Sequence, residues 1–266
     1  MKIAVVTTFN QKGLAKYAQR MIDSVTQNWP IEVMLHLYPE DCTPVVNRPN
    51  TTVCDLTTVP ELAAFKTRWK DDPKATGWCE DSTRKHPDKT SRIGFKWDAI
   101  RFSHKVYSIF DCARKTDADI LIWMDADSIC HSPITLNDIL RLCPTDKDIC
   151  FLGRKNKYTE CGLYAMNLKS ENTRLFLSKF QEFYDEAENG IFTLPEWHDS
   201  FVFDAIRRIV KLNELDWSKH LITGEGHPLI NSEWGAYLDH LKGDRKSDTR
   251  SKLSDLKVKR TEAYWQ

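Results

Sequence analysis

The chain carries no C-x-x-C pair, no Gly-rich phosphate loop, no net charge and no apolar run of membrane length. Each absence removes a class. The eight Cys stand apart at 42, 54, 79, 112, 130, 143, 150 and 161. Several lie in apolar contexts, so they read as reduced core thiols and not as a zinc ribbon. Without a glycine loop there is no P-loop to cradle a nucleotide's phosphates. Lys plus Arg and Asp plus Glu both number 38. No global field therefore steers the chain to nucleic acid or acidic membrane, and a polyanion must be held by a local patch. No segment approaches the ~18 uninterrupted apolar residues of a membrane span. The opening MKIAVVTTFNQKG has too short an apolar stretch for a signal peptide and no small-residue cleavage site. A cytoplasmic location is the expectation.

What is present suits a globular α/β protein. The 266 residues are 41% hydrophobic and 11% aromatic, with nine Trp, enough for a real core. Residues 2–9 read as a buried strand. Leu14, Tyr17, Ala18, Met21, Ile22, Val25 and Trp29 recur at helical spacing, and Pro30 stops that helix. IEVMLHLY (31–38) is a second strand. A strand–helix–strand start opens a doubly wound sheet. Residues 39–58 read as loop, 60–70 as a short helix, and the polar stretch 71–92 as a long functional loop. A helix over 93–115 leads into a strand at 119–124; helix 135–143 and strands 148–153 and 161–168 follow, then helices 170–187 and 199–211. Residues 242–260 hold eight Lys/Arg against three Asp and form a basic tail. The expected layout is one catalytic domain over 1–241 with a flexible, basic C-terminal tail over 242–266 that closes on the donor phosphates.

The triplet Asp-x-Asp occurs three times, at 117–119, 125–127 and 146–148. Two of these precede strands, where acidic residues are ordinary solvated turn residues. Only Asp125 and Asp127 follow an apolar run, ILIWM, and so sit at a strand's carboxyl end. Ligands of open α/β sheets bind at those ends. Residues i and i+2 of an extended chain point the same way. Converging carboxylates repel unless a cation joins them or one is protonated. Oxygen ligands suit Mg²⁺ or Mn²⁺. A solvated turn is the alternative.

An apolar strand ending in Asp-x-Asp behind a strand–helix–strand start resembles the GT-A-fold glycosyltransferases. These enzymes move a sugar from a nucleoside diphosphate to an acceptor. The resemblance implies a mixed, mostly parallel Rossmann-like sheet flanked by helices, with Mn²⁺ or Mg²⁺ held at Asp125 and Asp127 against the donor's diphosphate. In DHLKGDRK (239–246), His240, Gly243 and Lys246 have His-x-x-Gly-x-x-Lys spacing. This resembles the C-terminal motif of glycosyltransferase family eight, with Ser247 and Asp248 where that family has Pro-Trp. It implies His240 as a third metal ligand and Lys246 on the diphosphate, with Lys242 adding charge. From the residues alone, a helix end capped by glycine is the other reading.

ECGLYAMNLKS (160–170) resembles the segment in which a strand passes under the sugar, which puts Gly162 at the donor. EWHDSFVFDAI (196–206) resembles the segment where donor and acceptor meet; its Trp-His-Asp is similar to the blood-group type transferases, with Ser200 in place of their Glu. The resemblance implies Asp199 under the reacting carbon, with Glu196 and His198 as alternatives. Asp199 also suits the N-cap of helix 199–211. Lys96, Asp98 and Arg101 share one helix, and Asp98 and Arg101 share a face. A similar Asp…Arg pair grips the donor sugar in several GT-A families; an exposed ion pair is the other reading. Thr7, Thr8 and Phe9 end the first strand, where base and ribose bind in these enzymes.

The expectation is a retaining, metal-dependent glycosyltransferase, hexosyl or pentosyl, using a nucleoside-diphosphate sugar. Its acceptor hydroxyl would belong to a glycan, a protein or a hydroxymethylated DNA base. The competing readings are a metal-dependent nucleotidyl- or phosphoryl-transfer enzyme and a non-enzymatic nucleic-acid binder using the basic stretches 84–105 and 242–260.

Overall fold

The computed structural model describes residues 1–77, 94–221 and 227–266. β1 (Ile3–Asn10) is buried over most of its length, as a central parallel strand requires. Asn10 then starts a helix, its side-chain oxygen accepting the Gly13 N–H at 2.9 Å. That helix runs as α1 (Gln11–Gly13), a π-helical turn over Leu14–Ala18, and α2 (Gln19–Asn28). Pro30 ends it by holding Trp29 in extended backbone. β2 (Met34–Glu40) begins at Met34 and not at Ile31, because Pro30 to Val33 close a turn. Arg48 collects the freed carbonyls of Trp29 (3.2 Å) and Val33 (3.0 Å).

β3 (Thr51–Val53) lies inside the stretch read as loop; three residues are too few to show a period. The remaining elements are α3 (Pro60–Trp69), α4 (Ala99–Lys115), β4 (Ile120–Met124), β5 (Ser128–Cys130), α5 (Leu136–Leu142), β6 (Ile149–Leu152), β7 (Glu160–Asn167), α6 (Glu171–Asp185), α7 (Asp199–Ile209), β8 (Glu214–Asp216), α8 (Pro228–Asn231) and β9 (Leu238–His240). Most of the stretch read as a long functional loop, residues 78–92, lies outside the described residues, as does 84–93 of the basic stretch.

Seven strands form one sheet in the order β3-β2-β1-β4-β7-β6-β8. Only β7 runs against its neighbours, antiparallel to both β4 and β6. The architecture is the expected mixed, mostly parallel sheet flanked by helices. Chain order reverses at β1, with β2 and β3 on one side and β4 on the other. Such a switch point leaves a crevice outside the carboxyl ends of the strands.

Successive β1 side chains feed opposite layers. Ile3 and Val5 pack with Met21, Ile22 and Ile139 of α2 and α5. Ala4 and Val6 belong to the other layer, with Leu62, Val106, Phe176 and Phe203 of α3, α4, α6 and α7. Phe176 and Phe203 are fully buried with ring centroids 5.4 Å apart. Truncating either to Ala would cost about 3–5 kcal/mol.

β5 and β9 pair separately as a small antiparallel sheet. The C-terminal residues pack onto it. Asp239 accepts the Ser251 N–H (2.6 Å), the Ser251 hydroxyl (2.7 Å) and the Tyr264 hydroxyl (2.9 Å). Tyr264 stacks on His131 at 4.0 Å, and buried Trp265 donates to the Gly235 carbonyl at 2.8 Å. Among the described residues no helix is long and apolar enough to cross a membrane.

Candidate active site

β4 delivers Asp125 to the crevice. The Asp125 N–H donates to the Gly162 carbonyl at 2.8 Å. Because β7 runs the other way, its first residues stand beside the last residues of β4. Pairing of β5 with β9 sets Ser128 opposite His240 and brings the imidazole back over Asp127.

Asp125, Asp127 and His240 each present a ligand atom within 4.8 Å of the others. His240 Nε2 is 3.0 Å from Asp127 Oδ1 and 3.6 Å from Asp125 Oδ2. Two carboxylate oxygens and an imidazole nitrogen form a donor set that fits a divalent cation such as Mn²⁺ or Mg²⁺. Gly162 makes this approach possible. A Cβ there would stand 2.4 Å from His240 Cε1, closer than side chains pack.

The carboxylates are compensated by the chain's own cations. Lys246 Nζ lies 2.7 Å from Asp127 Oδ2. Lys105 of α4 lies 3.1 Å from Asp125 Oδ1 and 2.6 Å from Asp199 Oδ2, and donates to the Cys161 carbonyl. Trp123 Nε1 donates to Asp125 Oδ1 at 2.7 Å. Burial works to raise the Asp127 carboxyl, but His240 and Lys246 overcome it and hold it well below the usual range. Burial works to lower the Lys105 ammonium, but Asp125 and Asp199 hold it well above the ordinary lysine value. Buried pairs of this kind add little net stability. Charge crowded into a cleft is a mark of function.

No protein-family model matches the sequence, and no curated protein matches it. Solved structures do. The galactosyltransferase LgtC, solved in complex with donor and acceptor sugar analogues, aligns over 93% of this chain and 92% of its own at a TM-score of 0.52 and 11% identity. The fold is of the GT-A type. The bifunctional glycosyltransferase WbbM aligns over 82% of this chain and 39% of its own (TM-score 0.47, 10% identity). GlyE of Streptococcus pneumoniae aligns over 81% and 45% (TM-score 0.43, 9% identity). This chain therefore spans less than half the length of those two.

The GT-A crevice encloses about 490 Å³ and is lined by Thr8, Phe9, Asp98, Arg101, Asp125, Asp127, Gly162, Asp199 and Lys246, all singled out from sequence. Thr7 is not among them. It is fully buried in the sheet, while Thr8 turns its hydroxyl to the Tyr38 carbonyl at 2.6 Å. Lys96, Asp98 and Arg101 do not share one helix: Lys96 lies in a 3-10 turn over Gly94–Trp97, while Asp98 caps α4 by accepting the Arg101 N–H at 3.0 Å, and no ion pair joins the Asp98 and Arg101 side chains among the described residues. The helix cap expected of Asp199 is made by His198 instead, whose Nδ1 accepts the Phe201 N–H at 3.3 Å. Asp199 Oδ1 accepts the Ser200 N–H at 2.8 Å, and its Oδ2 is left for Lys105. Glu196 pairs with Lys96 at 2.8 Å and meets His198 Nε2 at 2.9 Å, to one side of the crevice. Lys242 turns to Glu160. Gly243 takes a left-handed backbone (φ +62°) that carries Lys246 back toward Asp127.

Among the crevice residues that the sequence reading did not assign to the site are Lys105, Glu160 and Tyr17. Lys105 falls one helical turn after Arg101, and that i, i+4 spacing was the available signal. Glu160 begins β7 and reads as a pre-strand acid. Tyr17 comes from the π-helical turn, and its ring lies 4.8 Å from the Lys246 ammonium; helix insertions of this type often sit at functional sites.

Proposed function

We propose that this chain is a metal-dependent glycosyltransferase that moves a hexose or pentose from a nucleoside-diphosphate sugar to an acceptor hydroxyl with retention of configuration. The observation that carries the reading is the meeting of Asp125, Asp127, His240 and Lys246 at the switch point of a GT-A sheet. A crevice of about 490 Å³ is within the size range of small-ligand sites. The His-x-x-Gly-x-x-Lys spacing supports the family-eight resemblance.

Asp125, Asp127 and His240 would hold Mn²⁺ or Mg²⁺, which when bound supplies Lewis-acid stabilisation of the leaving diphosphate. Lys246 exchanges Asp127 for a phosphate oxygen and adds fixed positive charge there. Thr8 and Phe9 flank the nucleotide, and Asp98 and Arg101 the sugar. Asp199, held by Lys105, steadies positive charge on the sugar ring from below. The state of His198 removes it as the base that an inverting reaction would need. Its Nδ1 caps α7 and its Nε2 faces Glu196, so neither nitrogen is free to take the acceptor's proton.

The acceptor is a hydroxyl of a glycan, a protein or a hydroxymethylated DNA base. A second open cavity of about 1070 Å³ includes Tyr158, whose ring contacts His198 at 4.9 Å. Its six Lys/Arg outnumber Asp204, Glu214 and Asp216 in the lining, an excess that favours an acceptor with negative charge nearby.

A thermal-shift panel of nucleoside diphosphates and their sugars, with and without Mn²⁺, tests the reading. One nucleotide should stabilise the protein only with metal, and turnover should release free nucleoside diphosphate. Release of pyrophosphate would favour nucleotidyl transfer, and stabilisation indifferent to metal would overturn the metal reading of Asp125, Asp127 and His240.

A further inference from the structure

We propose that Glu160 is a positioning residue of the metal site, an outer carboxylate that fixes the His240 ring. The inference rests on the metal reading of Asp125, Asp127 and His240. His240 is buried, and its Nε2 faces both aspartates. Its Nδ1 has no hydrogen-bond partner among the described residues. An imidazole that ligates a cation through Nε2 carries its remaining proton on Nδ1. A buried N–H without an acceptor costs about 1–3 kcal/mol, so such a ligand needs a second partner. The carboxylate facing it is Glu160, with Oε1 3.7 Å from Nδ1. A shift of well under an ångström closes this to a hydrogen bond.

Glu160 is built to stay an anion in that place. It is 7% exposed, ion-paired to Lys242 and 3.4 Å from the Arg154 guanidinium. Two cations on one carboxylate make its burial tolerable and lock its orientation. Gly162 keeps the space open on this side as well. A Cβ there would stand 2.6 Å from His240 Nδ1 and 3.2 Å from Glu160 Oε1. The other side of the histidine is tied too, since His227 Nε2 meets the His240 carbonyl at 2.6 Å. The imidazole is thus fixed by backbone pairing, by His227 and by Glu160. Outer partners of this kind orient metal-ligating histidines and raise their basicity.

The test is Mn²⁺ titration of the full chain by electron paramagnetic resonance, which reads binding without turnover. Glu160→Ala should weaken Mn²⁺ binding by about 10–100-fold. Glu160→Gln, which keeps an acceptor oxygen, should recover part of the loss. The double variant Glu160→Ala/Lys242→Met removes the stranded ammonium, so it should stay folded and show the same weakening. A purely structural role would instead lower the melting temperature in chelator and leave the Mn²⁺ dissociation constant alone. Equal Mn²⁺ affinity in the unaltered protein and all three variants overturns this inference only. Failure of the unaltered protein to bind Mn²⁺ overturns the metal reading and this inference with it.

Discussion

The tripeptide Asp-Ala-Asp occurs at both ends of β4, and the two copies have opposite fates. Asp117 and Asp119 precede the strand. Asp117 pairs with Lys2 on the surface, the two side chains 64% and 62% exposed. Asp119 accepts the Lys2 N–H and meets Lys169, itself 70% exposed. Asp125 and Asp127 follow the strand and gather Lys105, Lys246, His240 and Trp123 into a crevice. Identical residues thus make a solvated turn at one end of a strand and a charge-compensated cluster at the other. The end of the sheet, not the triplet, decides the chemistry.

The sharpest way to break this comparison is to remove one aspartate from each end. Asp127→Ala should lower sugar transfer by at least about 10²-fold, since a bound cation supplies several kcal/mol to the leaving group. It should also abolish the metal-dependent thermal shift. Asp117→Ala should leave both the rate and the melting temperature unchanged. Similar losses from the two would dissolve the distinction.

Lys105→Met probes the compensation itself. It strands Asp125 and Asp199 without their shared cation. Urea denaturation in metal-free buffer should register a loss of about 3–5 kcal/mol. No loss would mean that the carboxylates were never balanced by Lys105.

Lys246→Met should act in two directions. Mn²⁺ alone binds more tightly, because the ammonium no longer competes for Asp127. Nucleoside diphosphate binds on the order of tenfold more weakly, for want of a charge-assisted hydrogen bond. Calorimetry of each ligand separately checks both signs. Weaker Mn²⁺ binding would show that Lys246 is not a stand-in for the ion.

The smallest effect concerns pH. Burial works to raise the Glu196 carboxyl, but His198 and Lys96 hold it down at about 2, against an ordinary 4.5. The unfolded chain therefore binds the extra proton first as pH falls. The stability from these pairs is complete above about pH 4.5 and is lost as pH falls toward about 2. The stability gap between the unaltered protein and Glu196→Gln should narrow across that window. A constant gap would contradict the pairing.

Much of this was legible in the sequence, for physical reasons that also explain the gaps. The β-branched first strand, the 3.6-residue period through Val25 and the stop at Pro30 announced β1, α2 and β2. The apolar run before Asp125 located the site, because polarity switches abruptly at a strand's carboxyl end. The His240–Lys246 spacing was visible as a motif. Its meeting with Asp127 was legible only through the family resemblance, since the geometry depends on the pairing of β5 with β9, three residues each. Glu160 was hidden by strand direction. An acid before a parallel strand faces away from the crevice, but β7 is antiparallel, so its first residue enters it. Lys105 was hidden because a lysine on an amphipathic helix normally reads as solvated. The tail is thin in apolar residues and reads as loose chain, yet Asp239 and Trp265 anchor it.

On the proposed function, Asp125 and Asp127 converge to share a divalent cation with a diphosphate, and Lys246 changes partner when they do. A crystal of the protein grown with Mn²⁺ and the nucleoside diphosphate found by thermal shift tests this most directly through manganese anomalous scattering. The expected result is one strong peak bonded to Asp125, Asp127, His240 and the diphosphate, with the Lys246 ammonium moved from Asp127 onto a phosphate oxygen. A peak elsewhere, or a diphosphate bound while Lys246 stays on Asp127 and no metal joins them, would contradict it.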